Sequence, residues 1–199
     1  MAKKAYVYNG SAWEDLASSI SDLSSYATTV DLDNYQLKSV AGLTLVKSQV
    51  IGTAVSSVNV TSAFSATYDN YKIVISGGVA SGGFLMGLKL GVTATGYYYG
   101  QAITTYANTS GSVGQANQAS FPRIGVGTTD VLTANFELQN PFNAKLTILT
   151  YFNTDPRTNG EGGAGAGVLN NTTSYTDFTI TPSGGTYTGG TIRVYGYQN

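Results

Sequence analysis

The chain contains no cysteine and no histidine among its 199 residues. The lack of cysteine excludes a disulfide scaffold and thiol chemistry, and the lack of both residue types removes the ligands of most zinc and iron–sulfur sites. Histidine is also the commonest general base, so the usual serine and cysteine triads cannot be assembled. We therefore expect no catalytic residue, no metal site and no cofactor.

Charged side chains are scarce, at 11% of the sequence against roughly 25% in ordinary soluble proteins. Ten Lys and Arg and eleven Asp and Glu leave a formal net charge of -1, which provides no basic field for a phosphate backbone. No segment approaches about 18 consecutive apolar residues, and no apolar stretch of signal-peptide length follows the two N-terminal lysines. We expect no nucleic-acid partner, no membrane insertion and no export by a signal peptide.

Carboxylates that could form a catalytic pair are also few. A glycosidase needs two carboxylates held about 5 to 10 Å apart across a cleft, whereas the only glutamates are Glu14, Glu137 and Glu161. They fall in an N-terminal segment, on a predicted strand and in a glycine-rich stretch, so no pair is indicated and we expect that the protein is not an enzyme. Residues 160–165 match Gly-x-Gly-x-x-Gly, but no helix pattern follows them, so we predict a loop.

The N-terminal residues predict an anchoring hairpin. Strand-forming aromatic residues flank Asn9-Gly10, a dipeptide suited to a type I′ turn. We expect Tyr6, Tyr8 and Trp13 to pack across the hairpin, with a helix beginning around Asp15. The alternative is that a Ser-x-x-Glu capping box at 11–14 starts the helix near residue 12.

A short heptad pattern follows the hairpin. Its apolar positions recur by four, three, four and three residues: Leu16, Ile20, Leu23, Ala27 and Val30. This narrow stripe favours a coiled-coil helix that ends near residue 30. The alternative is an amphipathic helix lying on the β domain of its own chain.

From residue 43 onward the apolar period changes from seven to two, which indicates strands. The predicted strands are 43–50, 55–61, 71–76, 84–90, 97–106, 120–126, 131–138, 145–152, 175–181 and 191–197. Short strands bounded by Gly and Asn turns predict a mainly β protein with an antiparallel, jelly-roll-like β-sandwich, and 71–76 is the expected central strand. The predicted domains are an anchoring hairpin (1–14), a helical stalk and connector (15–42) and a β-sandwich head (43–199).

Tyrosine is unusually abundant, with 15 copies. Its flat ring and hydroxyl suit binding surfaces at low entropic cost. The candidate surface or glycan contacts are Tyr97, Tyr98, Tyr99, Tyr106 and Asn108, with the loops at 97–105, 108–118 and 153–168. The alternative for any one tyrosine is an ordinary position at a strand edge or rim.

Several segments resemble tail-fibre and related virion proteins of tailed bacteriophages, particularly marine and cyanobacterial ones. The similar segments are SYTDFTITPSGG (174–185), TGGTIRVYGY (188–197), the run from Ser56 to FSATYDNY (64–71), Asn140-Pro141-Phe142 and YVYNGSAW (6–13). The resemblance implies a homotrimeric virion appendage with a β-sandwich head.

Two functions follow as hypotheses. The first is a trimeric tail fibre or receptor-binding tip of the virion, which docks on other virion proteins through the hairpin and attaches to a host cell-surface glycan. The alternative is a head fibre or capsid decoration protein with a purely architectural role.

Overall fold

The computed structural model describes residues 6–8, 10–15, 42–157 and 159–198, and every regular element within these ranges is a β-strand. The chain divides into two compact units, Met1–Ala41 and Gly42–Asn199. None of the described residues forms a helix of the length and apolarity needed to cross a membrane. The predicted coiled-coil positions Leu16, Ile20, Leu23, Ala27 and Val30 lie outside the described residues.

The first unit contains a hairpin of β1 (Tyr6–Tyr8) and β2 (Trp13–Asp15). Tyr8 pairs with Trp13, with ring centroids 5.3 Å apart, so the predicted cross-strand aromatic contact is confirmed. This register leaves four residues in the connection, so the predicted two-residue Asn-Gly turn is wrong. Trp13–Asp15 is a strand, so the alternative helix start near residue 12 is wrong. The helix predicted to begin around Asp15 would lie outside the described residues.

The second unit is an antiparallel sheet of twelve strands within the described residues. Its strands are β3 (Leu43–Val50), β4 (Val58–Val60), β5 (Asn70–Ala80), β6 (Phe84–Leu90), β7 (Tyr97–Thr105), β8 (Ser110–Gln118), β9 (Phe121–Gly127), β10 (Leu132–Gln139), β11 (Thr147–Thr154), β12 (Glu161–Leu169), β13 (Phe178–Pro182) and β14 (Tyr187–Tyr197). The prediction of a mainly β, antiparallel protein is confirmed.

The sheet branches at β10. One edge of this strand pairs with β5, which continues through β14 to β3. The other edge is shared, because its first residues pair with β9 and its later residues with β11. One branch therefore runs β9, β6, β13 and β4, and the other runs β11, β12, β7 and β8.

The core follows the two-residue period of the strands. On β5, Tyr71, Ile73 and Ile75 are buried while the residues between them are only partly buried, and β10 alternates in the same way. β5 pairs on both sides, so its predicted central position is confirmed. The two branches meet where the rings of Tyr97 and Phe121 pack edge to face, with centroids 4.8 Å apart.

Two strands were not expected from the sequence. β8 and β12 are rich in Gly, Ser, Ala, Asn and Gln, which have low strand propensity. They form because β7 lies between them and pairs with both along its length. The glycine-rich segment Glu161–Leu169 is thus a strand, and the predicted loop there is wrong.

Candidate functional site

The predicted contact residues lie in three different environments. Tyr97 begins β7 but is fully buried, and burial holds the pKa of its hydroxyl well above the usual value. Its hydroxyl accepts a hydrogen bond from the Leu90 amide at 2.8 Å and donates one to the Thr93 carbonyl at 3.2 Å. Tyr97 is therefore a core residue, and its prediction as a surface contact is wrong.

Tyr106 and Asn108 lie at the other end of β7, about 25 Å away along a nine-residue strand. Tyr106 is exposed, and its hydroxyl donates to the Asp155 carbonyl at 2.7 Å. Asn108 has a φ of 59° in the turn before β8, where its amide donates to the Thr105 carbonyl. These two residues cannot act on one small ligand together with Tyr98.

Tyr98 belongs to a broad exposed face, which we name the Tyr98 face. It consists of the residues of β11, β12, β7 and β8 that point away from the core. Its members are Ile148, Thr150, Phe152, Thr154, Gly162, Ala164, Ala166, Val168, Tyr98, Gly100, Ala102, Thr104, Ser110, Ser112 and Gly114. None of these side chains is charged, and most are small.

A shallow cleft of about 570 Å³ lies on the Tyr98 face. It is lined by Tyr98, Tyr99, Gly100, Gly114, Gln115, Ala116, Ala166, Gly167 and Val168. The Tyr99 and Gln115 side chains alternate to the other side of β7 and β8, where the Tyr99 hydroxyl and the Gln115 side-chain oxygen are 3.4 Å apart. On the Tyr98 face the cleft therefore offers the Tyr98 ring and hydroxyl among small side chains, and no lining residue carries a charge.

Three glycines of β12 lie where the core is already filled by other residues. A side chain at Gly163, Gly165 or Gly167 would enter the core, because these positions alternate with the outward-facing residues of β12. Atoms of neighbouring strands already occupy that space. A Cβ at Gly165 would lie 2.2 Å from Tyr151 Cζ, and one at Gly167 would lie 2.6 Å from Phe121 Cε1. The repeated glycines therefore serve packing, and the Gly-x-Gly-x-x-Gly match lies largely within a strand rather than between a strand and a helix.

Beneath the face lies a partly buried polar cluster that was not predicted from the sequence. The Arg123 Nε donates to Gln101 Oε1 at 3.0 Å, and the Arg123 guanidinium forms an ion pair with Glu161. Asn153 is buried nearby on β11, and burial raises the pKa of Tyr151 to about 12 although Arg123 lowers it. No sequence pattern marks this cluster, because polar and apolar residues do not alternate along β11.

The strand glutamates lie on opposite sides of the sheet. Glu137 is on the outer side of β10, 3.8 Å from the Lys72 ammonium, and accepts a hydrogen bond from the Tyr197 hydroxyl. Glu161 is on the inner side of β12, paired with Arg123. These two carboxylates do not face a common cleft.

The predicted anchor residues form an exposed aromatic surface. Tyr6, Tyr8 and Trp13 are all exposed, and Trp13 retains 71% of its accessible surface. Tyr6 and Tyr8 are two residues apart on β1, and Trp13 pairs with Tyr8, so all three share one side of the hairpin.

The comparisons with known proteins assign no family. No family model matches the chain, and no curated protein matches it. A chain in the structure of infectious bursal disease virus, Gx strain, is similar at 11% sequence identity and a TM-score of 0.15, covering 77% of this chain and 41% of that chain. A TM-score this low carries no argument about fold or function.

Proposed function

We propose that this protein is a non-enzymatic structural protein of a bacteriophage virion, a homotrimeric tail fibre or receptor-binding tip. A jelly-roll-like β-sandwich head binds a glycan of the host surface through the Tyr98 face. A short coiled-coil helix joins this head to the hairpin, which docks on another virion protein.

The observation that carries the proposal is the chemistry of the Tyr98 face. It combines the Tyr98 ring with the exposed ring of Phe152 and with hydroxyls, and it has no charged member. A sugar presents flat patches of C–H groups and a rim of hydroxyls, which stack on aromatic rings and bond to uncharged donors and acceptors. The small residues between the rings leave room for a chain of sugars to lie along the sheet.

The hairpin supports the docking role. Three exposed aromatic residues on one side of a two-stranded hairpin form an apolar surface that is costly to leave in water. Tyr and Trp are also the residues that most often anchor protein interfaces.

The proposal is tested with Tyr98→Ala in the full chain. Binding to purified host surface polysaccharide, measured by biolayer interferometry, should weaken about tenfold, since one stacked ring contributes about 1 to 1.5 kcal/mol. The matched control is Tyr6→Ala, which removes an exposed tyrosine from the other unit and should leave affinity unchanged. Wild-type protein that does not bind at micromolar concentration, or Tyr98→Ala protein that binds with unchanged affinity, contradicts the proposal.

The alternative, a head fibre or capsid decoration protein, is favoured by the small residues of the same face. Gly100, Ala102, Ala164 and Ala166 allow the backbone of another protein to approach closely. Quantitative mass spectrometry of purified virions separates the two functions, because a decoration protein occurs in tens to hundreds of copies and a fibre in far fewer.

A further inference from the structure

The polar cluster beneath the Tyr98 face holds most of the unpaired buried polar atoms found among the described residues. Four of these seven atoms belong to it: Gln101 Nε2, the Tyr151 hydroxyl, and both Nδ2 and Oδ1 of Asn153. The three residues are at most 3% exposed. Leaving a buried amide or hydroxyl unpaired is costly, so four such atoms in one cluster indicate that a second molecule pairs with them.

Strand pairing brings these residues together around two glycines of β12. Gln101 on β7 and Tyr151 on β11 both pair with Gly165, and Asn153 pairs with Gly163. The Tyr151 ring lies against Gly165, and Gln101 Nε2 lies 3.1 Å from the position that a Cβ of Gly163 would take. Glycine inside a strand often marks a place where another group approaches closely. The polar groups of β7 and β11 therefore lie over the same short stretch of β12.

The charges of the cluster disfavour an ion as the second molecule. Arg123 forms an ion pair with Glu161 and donates to Gln101 Oε1 at 3.0 Å, so its charge is compensated within the chain. The unpaired atoms require both kinds of partner, because the amide groups of Gln101 and Asn153 donate, Asn153 Oδ1 accepts, and the Tyr151 hydroxyl does either. An anion could not donate to Asn153 Oδ1, and a cation would be repelled by the amide N–H groups. The second molecule is therefore uncharged and both donates and accepts.

The enclosure of these atoms limits the size of that molecule. All four unpaired atoms are buried, whereas the side chains of Arg123 and Glu161 retain 18% and 21% of their accessible surface and mark the solvent side of the cluster. Water is the uncharged donor and acceptor small enough to enter a folded core, where it typically makes about three hydrogen bonds to polar groups that lack other partners.

We propose that this cluster is a water site, in which ordered water bridges Asn153 to Gln101 Nε2 and to the Tyr151 hydroxyl. The site lies on the core side of β7, β12 and β11, opposite the Tyr98 face, and the inference does not depend on the proposed function. The bridging hydrogen bonds hold these three strands together where the glycines of β12 contribute no side-chain packing.

The test compares Tyr151→Phe with Tyr187→Phe in the full chain. Each substitution removes one unpaired buried hydroxyl and keeps the ring. Tyr187 is the matched control because its ring lies in another part of the sheet, beside Gly127, where the apolar side chains of Ala80 and Leu132 also pack.

The two variants should shift stability differently. Tyr151→Phe should raise the unfolding equilibrium constant about fivefold, because it removes a hydroxyl that bonds to water. Tyr187→Phe should leave this constant unchanged or lower it, because the hydroxyl that it removes has no partner. Urea unfolding measures both. A Tyr151→Phe protein at least as stable as wild type, or equal losses in the two variants, would overturn the inference.

A second measurement needs no variant. A high-resolution crystal structure of the wild-type chain should show a water oxygen within about 3.2 Å of the Asn153 amide and of either the Tyr151 hydroxyl or Gln101 Nε2. Direct hydrogen bonds among these three side chains with no water between them, or an ion at this position, would overturn the inference.

Discussion

Strands β5 and β12 belong to the same sheet but fill the space beneath them in opposite ways. The core-facing residues of β5 are Tyr71, Ile73 and Ile75, which supply their own apolar volume. The core-facing residues of β12 include Gly165 and Gly167, whose inner side is filled by the rings of Tyr151 and Phe121. The space on the core side of a buried strand must therefore be filled, but side chains of neighbouring strands can fill it in place of the strand's own.

The largest loss of stability is expected on β5, whose own side chains fill the core on its buried side. Ile73→Ala should lower the free energy of unfolding by about 3 kcal/mol, because it leaves a cavity in a fully buried position. Val74→Ala, on the other face of the same strand, should cost less than about 1 kcal/mol. Urea unfolding followed by circular dichroism measures both, and equal losses would show that β5 is not packed on one side only.

A smaller loss of stability is expected on β12, where adding volume rather than removing it should destabilise the fold. Gly165→Ala should cost about 2 kcal/mol because the new methyl group would overlap the buried Tyr151 ring. The control is Gly162→Ala on the outer side, where no atom lies within 4 Å of the added Cβ. A Gly165→Ala protein as stable as Gly162→Ala would show that β12 does not rely on a neighbouring ring.

The smallest loss of stability is expected for Asp155, which lies beside the first residue of β12. Hydrogen bonds from the Arg157 side chain hold the pKa of Asp155 below its usual value, although burial raises it. This stabilisation is fully present above the unfolded-state pKa, about 3.9, and is lost as the pH falls through the folded-state pKa. At pH 7, Asp155→Asn should therefore cost about 1 kcal/mol, and the difference from wild type should shrink as the pH falls below the unfolded-state pKa and through the folded-state pKa.

The exposed Asp130 provides the control for this substitution. Urea unfolding between about pH 2.5 and pH 7 should show a flatter profile for Asp155→Asn than for Asp130→Asn. Parallel profiles for the two variants would mean that the Asp155–Arg157 contact contributes nothing to the stability of this end of the sheet.

Strands whose own apolar side chains form the core could be predicted from the sequence. The bounds of β3 and β6 agree with the prediction, and the alternation along β10 identified its buried face. The agreement has a physical reason, because a side-chain period of two is a local property of an extended chain.

The wrong predictions concern positions that are determined by contacts between strands distant in sequence. Tyr97 was predicted at the surface, but its ring is buried against Phe121 on another branch of the sheet. The space over Gly165 is taken by a residue 14 positions earlier. Such contacts depend on strand order, which no local pattern encodes, so the cleft on the Tyr98 face could not be located from the sequence.

Composition by itself determined that the protein has no thiol or imidazole chemistry and little charge, because these depend only on which residues are present. Alternating hydrophobicity determined that the chain is mainly β. Only the tertiary structure decided which tyrosines are exposed, that β12 is a strand, and that β3 leaves Leu43, Leu45 and Val50 uncovered within its own unit. Each of these depends on pairing between strands that are distant in sequence, which sets the face that every side chain occupies.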